Sequence, residues 1–465
     1  MMPGKRVPLL GLCPIGKFVF SHEDALRFKK RIEERLEALE VPWVNIDGVV
    51  KDGLVHEVAD VEKVVAHFRA RHVDAVFMPH CNFGTEHAVG LIGRELGRPV
   101  LVWGPRDEAP LPDGTRLRDT LCGLLASTKV LGKLNVPFTY IENCRVDEPA
   151  FEAGVDTFLR AVRVAAALRD GVRIGQIGQR IDFFWTTIIN ESELLERFQV
   201  EVLPLDLVEF IQAVKERVAR GASDYERRVA ELNEQFDVEG FEDDGPLMNI
   251  LAVRDEMIAL RDRHELDGLA VKTFMSIVNA MGAYTVLADS LVSEELAVAL
   301  ESDIHGVLSN ILLRRAGLDG RPAFAAEFTV RHPENDNAVL LWHAGAPVSM
   351  CHPGCRPRLG QHWILPSPLS GMTHFRLQDG PITVARFDGE HGEYALAAGE
   401  GHSTDGPETL NNYVWMEVDD WPHWERTLME GPFIHHCGMI YGRYRAALLE
   451  ACKYVPGLSP VSLNR

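Results

Sequence analysis

Short apolar runs alternate with amphipathic stretches through the first third of the chain, and this alternation most constrains the fold. Four runs are typical of buried strands: RVPLLGLC, VDAVFMPH, RPVLVWGP and VPFTYIEN. Helical periodicity predicts intervening helices near residues 22–40, 58–71, 85–96 and 115–131. Strands and helices that alternate in this way form parallel sheets with helices packed on both faces. The first third therefore predicts a doubly wound α/β domain.

The same pattern resumes in the middle of the chain and then stops. Apolar strand-like runs recur at 172–179, 200–211 and 266–274, and after Gly320 they give way to strands with Gly- and Pro-containing turns. The predicted fold class is α/β, with two doubly wound, Rossmann-like parallel-sheet domains followed by a mostly β domain that carries a terminal helix. The expected domain ranges are 1–168, 169–318 and 319–465.

Composition excludes several classes of function. The net charge of −20 argues against nucleic acid, whose phosphates require a basic surface, and fits poorly with anionic membranes. The sequence has no run of about 18 apolar residues, and the apolar part of MMPGKRVPLLGLCPIG is too short and broken to predict a signal peptide. Eight cysteines without a disulfide-framework spacing predict reduced thiols. We expect a cytoplasmic protein that binds neither nucleic acid nor membrane.

A predicted β-hairpin brings an acid close to a histidine. Two apolar segments, 323–330 and 338–345, flank the polar HPENDN and predict antiparallel strands. A hairpin centred on Asn335 places Glu327 directly opposite His343, with side chains that start about 5 Å apart, a suitable separation for two ligands of one ion. The alternative is an ordinary Glu/His pair on a solvated sheet face.

Two further groups complete a candidate site. Glu301 precedes an apolar helical pattern that Ser302 or Asp303 can cap, and the positive end of that helix favours an ionised carboxylate; the alternative is a simple capping acid. His435 and His436 begin the segment HHCGMIYG, and at most one of two adjacent side chains on an extended backbone is expected to be a metal ligand.

The chemistry of this ligand set narrows the ion. Two carboxylates with one or two imidazoles and no thiolate favour Mn²⁺, with Mg²⁺, Co²⁺ or Fe²⁺ as alternatives and zinc less favoured. The predicted metal ligands are Glu301, Glu327, His343 and His436.

Four motifs resemble the L-fucose isomerase and L-arabinose isomerase family of metal-dependent sugar isomerases. They are ESDIHG (301–306), AAEFTV (325–330), LLWHAG (340–345) and HHCGMIYG (435–442). In this resemblance Glu301 and Glu327 match the two metal-binding acids and His436 matches a later histidine. His343 matches a histidine ligand of the arabinose branch. CNFGTEHA (81–88) is similar to a segment of the family's first domain.

The resemblance implies interconversion of an aldose and its ketose through a metal-stabilised enediol or enediolate. Pentoses or 6-deoxyhexoses such as L-fucose, D-arabinose or L-arabinose are the expected substrates. Proton transfer is assigned jointly to Glu301 and Glu327 as catalytic residues, since the sequence does not say which is the base. Self-association into a homo-oligomer such as a hexamer is also implied, because family members borrow site residues from a neighbouring subunit.

Four residues are predicted to contact the substrate. Asn82 and Glu86 follow a predicted strand, at the end where open α/β sheets bind ligands; the alternative is a helix start capped at Thr85. Arg356 lies in a Pro-rich loop over 346–371 that begins just after His343 and either covers the metal or packs as an ordinary surface loop. His435 is the fourth.

Two other functional classes remain open from the sequence. A non-catalytic sugar-binding protein is also built from two α/β lobes, and a metal-dependent hydrolase or aldolase uses the same kinds of ligand. Proton exchange at C2 of an aldose, without bond cleavage, distinguishes the isomerase from both.

Overall fold

The computed structural model describes residues 7–363 and 368–465. The chain divides into two compact units, with the boundary between Arg163 and Val164. The predicted α/β class with a mostly β C-terminal region is confirmed, while the three expected domain ranges stay a prediction.

The first unit is built on a five-stranded sheet in which every pairing is parallel, in the order β2-β1-β3-β4-β5. This order reverses the direction of winding at the first strand, so the crossover helices lie on both faces. Its elements are β1 (Leu10–Leu12), α1 (His22–Ala38), β2 (Trp43–Val44), α2 (Val61–Ala70), β3 (Ala75–Pro79), α3 (Glu86–Leu96), β4 (Val100–Trp103), α4 (Thr120–Lys133), β5 (Phe138–Tyr140) and α5 (Pro149–Arg169), the last extending across the boundary.

Local sequence accounts for the positions of these helices. The Ser21 side chain accepts a hydrogen bond from the Asp24 amide and so begins α1. Phe28, Ile32 and Leu36 recur at helical spacing and form the buried stripe of that helix. All four helices predicted in this region are present within a few residues of the expected bounds.

The second unit begins with another parallel sheet of four strands, in the order β10-β9-β6-β7. Its winding reverses at β6, and the carboxyl ends of its strands form the edge where such sheets bind ligands. Its elements are β6 (Val172–Ile177), α6 (Glu191–Phe198), β7 (Val200–Leu205), α7 (Leu207–Gln235), β8 (Asp237–Val238), α8 (Gly245–His264), β9 (Gly268–Val271), α9 (Met275–Met281), α10 (Val286–Ser293), β10 (Ala297–Ala299) and α11 (Ile304–Gly317).

The rest of the second unit is mostly β. A ten-stranded sheet runs in the order β19-β16-β15-β18-β11-β12-β17-β14-β13-β8, and an added pairing of β16 with β17 closes its six central strands into a barrel. The new elements are β11 (Phe324–Arg331), β12 (Ala338–His343), β13 (Arg358–Gln361), β14 (Ser370–Arg376), β15 (Pro381–Glu390), β16 (Glu393–Thr404), β17 (Asn412–Glu417), α12 (Trp421–Glu430), β18 (His436–Tyr441), α13 (Arg445–Ala451) and β19 (Leu458–Ser462).

Two other sequence expectations bear on this fold. All eight cysteines are free. In the part of the chain that is described, no single helix has the length and apolar content to span a bilayer, and only the sharply bent pair α9 and α10 meets those criteria jointly. The first six residues of the N-terminal segment lie outside the described residues.

Candidate metal centre

Four side chains of the second unit converge on one point. One potential ligand atom from each of Glu301, Glu327, His343 and His436 lies within 4.8 Å of the others. His436 Nε2 is 3.3 Å from Glu301 Oε2 and 3.4 Å from Glu327 Oε1, and His343 Nε2 is 3.2 Å from Glu327 Oε1. These are the four residues that the sequence predicted as ligands, and the structure brings all of them together.

Glu301 reaches the cluster from an unusual turn. It follows β10 at the carboxyl edge of the second parallel sheet, and both Glu301 and Ser302 have left-handed backbone, with φ of 61° and 58°. Non-glycine residues rarely adopt this conformation, and two in succession mark a strained segment of the kind that is common at functional sites. Asp303 then caps α11 by accepting a hydrogen bond from the Gly306 amide. The turn is thus anchored directly after Glu301.

Glu327 lies on β11, which pairs with β12 on one side and β18 on the other. Its partner on β18 is His436, and its partner on β12 is Trp342. The predicted pairing of Glu327 with His343 is therefore wrong by one residue, because a β-bulge between Phe328 and Arg331 shifts the register of the hairpin. His343 ends its strand, and its ring still comes within ion-pair distance of Glu327.

The cluster requires positive charge. Burial opposes ionisation of Glu327, but the adjacent His343 and His436 rings outweigh it and hold the pKa of Glu327 well below its usual range. Burial likewise opposes protonation of His436, yet its carboxylate neighbours, led by Asp303, raise its pKa well above the ordinary value. The pKa of His343 is raised by Glu327 against the effect of burial. A divalent cation held by these residues would supply the positive charge that the acids otherwise draw from protons on the imidazoles.

Two buried atoms face the centre without a hydrogen-bond partner among the described residues. They are Glu301 Oε2 and His436 Nε2. Buried polar atoms are nearly always satisfied in proteins, so unsatisfied ones call for a ligand or a bound ion. A carboxylate oxygen and an imidazole nitrogen suit the hard to borderline cations favoured by the sequence. The residues present fit a divalent metal ion.

The predicted substrate contacts have different surroundings. The His435 ring is half-exposed, and its Nε2 lies 3.7 Å from Glu327 Oε1, beside the cluster. Arg356 pairs with Asp237 and donates to main-chain carbonyls at the end of α7, with no contact to the cluster. The predicted loop over 346–371 is not wholly irregular because it contains β13, and its residues 364–367 lie outside the described residues.

Asn82 and Glu86 belong to the first unit. The Asn82 side chain is fully buried, accepts from the Lys17 and Gly84 amides and donates to main-chain carbonyls, so it organises the loops at the carboxyl edge of that sheet. Thr85 occupies the N-cap position of α3, as the alternative reading expected, although its hydroxyl donates to Gly16 and His56 carbonyls instead. Glu86 is the first residue of α3 and is partly exposed. Substrate contact by these residues stays a prediction.

Three buried charged residues next to the cluster were missed as functional candidates by the sequence analysis. Asp303 accepts a hydrogen bond from His436, and Arg386 bridges Asp303 to Asp388. Asp303 was recognised only as a capping residue. Arg386 and Asp388 are two positions apart within the apolar strand VARFDG, so their side chains share one face of that strand. This spacing is the sequence signal that could have identified them.

Two family models match this chain. The N-terminal domain of fucose/sulfoquinovose isomerase matches residues 11–169. The C-terminal domain of L-fucose isomerase matches residues 370–456. Together these ranges cover more than half of the chain.

The chain is also similar to individual proteins. Sulfoquinovose isomerase of Alkalicoccus urumqiensis is 27% identical over 320 residues, which is 67% of this chain and 68% of that protein. A periplasmic solute-binding protein of an Actinobacillus succinogenes ABC transporter, crystallised with D-allose, is 12% identical over 61% of this chain and 82% of its own, with a TM-score of 0.16. The transcription regulator CcpA of Lactococcus lactis is 10% identical over 74% of this chain and 100% of its own, also with a TM-score of 0.16. At such TM-scores neither structure carries an argument.

Proposed function

We propose that this chain, which belongs to the L-fucose isomerase family of aldose–ketose isomerases, uses a divalent metal held by Glu301, Glu327, His343 and His436 to isomerise a pentose or a 6-deoxyhexose. L-Fucose, D-arabinose and L-arabinose are the first substrates to test. Mn²⁺ is the proposed ion, with Mg²⁺, Co²⁺ and Fe²⁺ as alternatives.

One observation carries this proposal. Two carboxylates meet two imidazoles within 4.8 Å, and Glu301 Oε2 and His436 Nε2 are buried there, 3.3 Å apart, without a hydrogen bond between them or to any other described residue. A structural ion-pair cluster aligns its polar atoms in hydrogen bonds, whereas ligands of a metal ion converge on one point without hydrogen bonds to one another.

The reaction requires that a proton move between C1 and C2 of an open-chain sugar. The bound ion supplies positive charge that polarises the sugar carbonyl. Glu327 as a metal ligand would be ionised, and an ionised carboxylate can accept the carbon-bound proton. Of Glu301 and Glu327, one takes the proton from C2 and returns it to C1, and the other moves a proton between the O2 and O1 oxygens.

The sugar also needs groups that hold its hydroxyls. The half-exposed His435 ring borders the cluster beside Glu327 and is the proposed hydroxyl-binding group from this unit. Asn82 and Glu86 remain proposed contacts to the substrate of an adjacent subunit, and Arg356 remains a proposed contact from the long loop. Homo-oligomer formation, with a hexamer as one arrangement, is part of this proposal, and light scattering on the purified protein tests it.

Isotope exchange tests the activity directly. The Mn²⁺-loaded protein is incubated with each aldose in D₂O, and ketose formation and deuterium incorporation are followed by NMR. Glu301→Gln and Glu327→Gln are each expected to lower turnover by about 100-fold or more. Glu256→Gln is the matched control, because Glu256 is a buried carboxylate paired with Arg217. Unchanged turnover in both site variants contradicts the assignment, and cleavage of the sugar identifies an aldolase or hydrolase.

A second substrate has its own support in the similarity to sulfoquinovose isomerase. Sulfoquinovose is a 6-deoxyhexose that carries a sulfonate, so the same proton transfer at C1 and C2 serves both kinds of sugar. Sulfoquinovose is therefore added to the panel of aldoses. The substrate with the higher kcat/KM shows which of the two proposals holds. A folded protein that binds a sugar but produces no ketose with any of the four metals supports the non-catalytic alternative.

A further inference from the structure

A chain of buried charged side chains leads away from the candidate metal centre. His436 Nδ1 is 2.9 Å from Asp303 Oδ2, and Arg386 Nη1 donates to the same oxygen at 2.5 Å. Arg386 Nε donates to Asp388 Oδ2 at 2.9 Å, and Asp388 Oδ1 is 3.0 Å from His305 Nδ1. All five side chains are at least nine-tenths buried. Asp303, Arg386, Asp388 and His305 are not among the four candidate metal ligands.

The contact with Asp303 sets the orientation of His436. An ionised carboxylate only accepts hydrogen bonds, so His436 Nδ1 carries a hydrogen and donates a hydrogen bond to Asp303. In the neutral ring the lone pair is then on Nε2, the atom that faces Glu301 and Glu327. Metal-binding histidines commonly donate their second nitrogen to a carboxylate in this way, which holds the ring and strengthens it as a ligand.

Arg386 and a helix end hold Asp303 in turn. Arg386 binds Asp303 through two of its nitrogens, and the Gly306 amide donates to Asp303 from the first turn of α11. These contacts hold Asp303 in one orientation. Arg386 also donates a hydrogen bond through Nε to Asp388, and Asp388 is in turn hydrogen-bonded to His305.

Asp303 is also connected to a second ligand through the backbone. Only Ser302 separates it from Glu301, and both of those residues are in the left-handed conformation. The cap formed by Asp303 anchors one end of that strained turn, and β10 anchors the other. A change at Asp303 therefore affects the direction of Glu301 as well as that of His436.

We propose that Asp303 is a positioning residue that orients His436 and Glu301 together for the metal, and that Arg386, Asp388 and His305 form the buried brace that keeps Asp303 in place. This inference rests on the metal centre of the proposed function. The brace acts on metal affinity.

Metal titration of folded variants tests the brace without reference to turnover. Mn²⁺ binding to the full-length protein is measured by calorimetry and by the EPR signal of free Mn²⁺, for wild type and for Asp303→Asn. The Asn keeps the size and the capping oxygen but loses the charge, and we expect a Kd about 10- to 100-fold higher. Turnover of this variant at limiting Mn²⁺ is expected to fall and to recover as Mn²⁺ is raised.

Two further variants separate this role from general stability. Asp420→Asn is the matched control, since Asp420 also caps a helix and pairs with an arginine, Arg465, but contacts no candidate ligand. We expect it to leave the Mn²⁺ Kd unchanged. Arg386→Lys retains one charge but cannot bridge two carboxylates as a guanidinium does, and we expect an intermediate Kd.

The outcomes are distinct. Wild-type Kd values in folded Asp303→Asn and Arg386→Lys overturn the brace and leave the metal centre intact. A wild-type protein that binds no Mn²⁺ overturns the proposed function and this inference with it. A raised Kd in both variants, with turnover restored by excess metal, establishes the positioning role.

Discussion

Glu327 lies directly across from His436 in the antiparallel pair of β11 and β18, and His436 Nε2 is 3.4 Å from Glu327 Oε1. Directly opposed residues of an antiparallel pair share one face of the sheet. One strand register therefore sets an acid and an imidazole side by side. A slip of one residue would send the two side chains to opposite faces, so barrel assembly and formation of this centre depend on the same pairing.

Metal removal should destabilise the second unit. A ligand that binds only the folded state, present at 100 times its Kd, stabilises that state by about 2.7 kcal/mol. We therefore expect the melting temperature of EDTA-treated protein to rise when Mn²⁺ is added, as measured by calorimetry. Glu327→Gln should lose most of this rise, and the control Glu256→Gln should keep it. An equal rise in Glu327→Gln would show that the stabilising ion binds elsewhere.

The turn at Ser302 predicts that glycine is tolerated there and that valine is not. Ser302 has φ of 58° and is buried, and its hydroxyl donates to the Gln179 carbonyl. Glycine adopts this conformation without strain, so Ser302→Gly should retain Mn²⁺ binding with little change in stability. A β-branched side chain is unsuited to it, and Ser302→Val should cost about 1–3 kcal/mol.

Calorimetric Mn²⁺ titration and urea unfolding of the two Ser302 variants check this prediction. Because the turn carries Glu301, we expect the valine variant to bind Mn²⁺ more weakly. Equal Kd and equal stability for the valine and glycine variants would mean that the backbone at this position is free to rearrange.

The sequence was sufficient to predict the parallel sheets and the identity of the four clustered side chains. Alternation of strands and helices is local, and so are the apolar repeats that predicted α1 to α4. The hairpin register was missed because the bulge between Phe328 and Arg331 carries no distinct residue signal. The pairing of β11 with β18 joins residues more than a hundred positions apart, and only the folded barrel reveals it.

The sequence did not predict the contacts of the buried brace, for a different reason. In the sequence, the position of Asp303 indicates only a helix cap. The spacing of Arg386 and Asp388 indicates only a polar pair on one face of a strand. Their meeting depends on how α11 packs against β15 in three dimensions. Charged residues within apolar strands are the signal that remains, because such residues are seldom buried without a partner.

His80 predicts a pH dependence of stability in the first unit. Complete burial lowers its pKa to about 4 from an ordinary value near 6.5. Its Nδ1 lies 3.3 Å from the Met78 carbonyl, so this nitrogen donates and Nε2 accepts from the Ser127 hydroxyl at 2.7 Å. The neutral ring satisfies both contacts, whereas a protonated ring must be formed in a dry interior.

The sign of the effect follows from these values. Above pH 6.5 neither state of His80 is protonated, and its contribution to stability is fully present. As pH falls from 6.5 to 4 the unfolded chain gains the proton first, and about 3 kcal/mol of stability is lost. Urea unfolding at pH 7 and pH 5 should show about 2 kcal/mol of this loss. The loss should be smaller in His80→Gln and unchanged in a variant of the exposed His87, His87→Gln. Equal pH dependence in His80→Gln and wild type would contradict the assignment.

His435 should contribute to sugar binding without contributing to metal binding. Burial and the neighbouring His436 lower the pKa of His435, so its ring is neutral near pH 7 and can exchange hydrogen bonds with a hydroxyl group. A neutral hydrogen bond contributes about 0.5–1.5 kcal/mol, so His435→Ala should raise KM by about 3- to 10-fold. The Mn²⁺ Kd should not change, because His435 is outside the four-ligand cluster. The exposed His402, whose Nε2 lies 3.9 Å from Glu417 Oε2, provides the control His402→Ala. An unchanged KM would exclude His435 from the sugar site, and a raised Mn²⁺ Kd would make it a metal ligand instead.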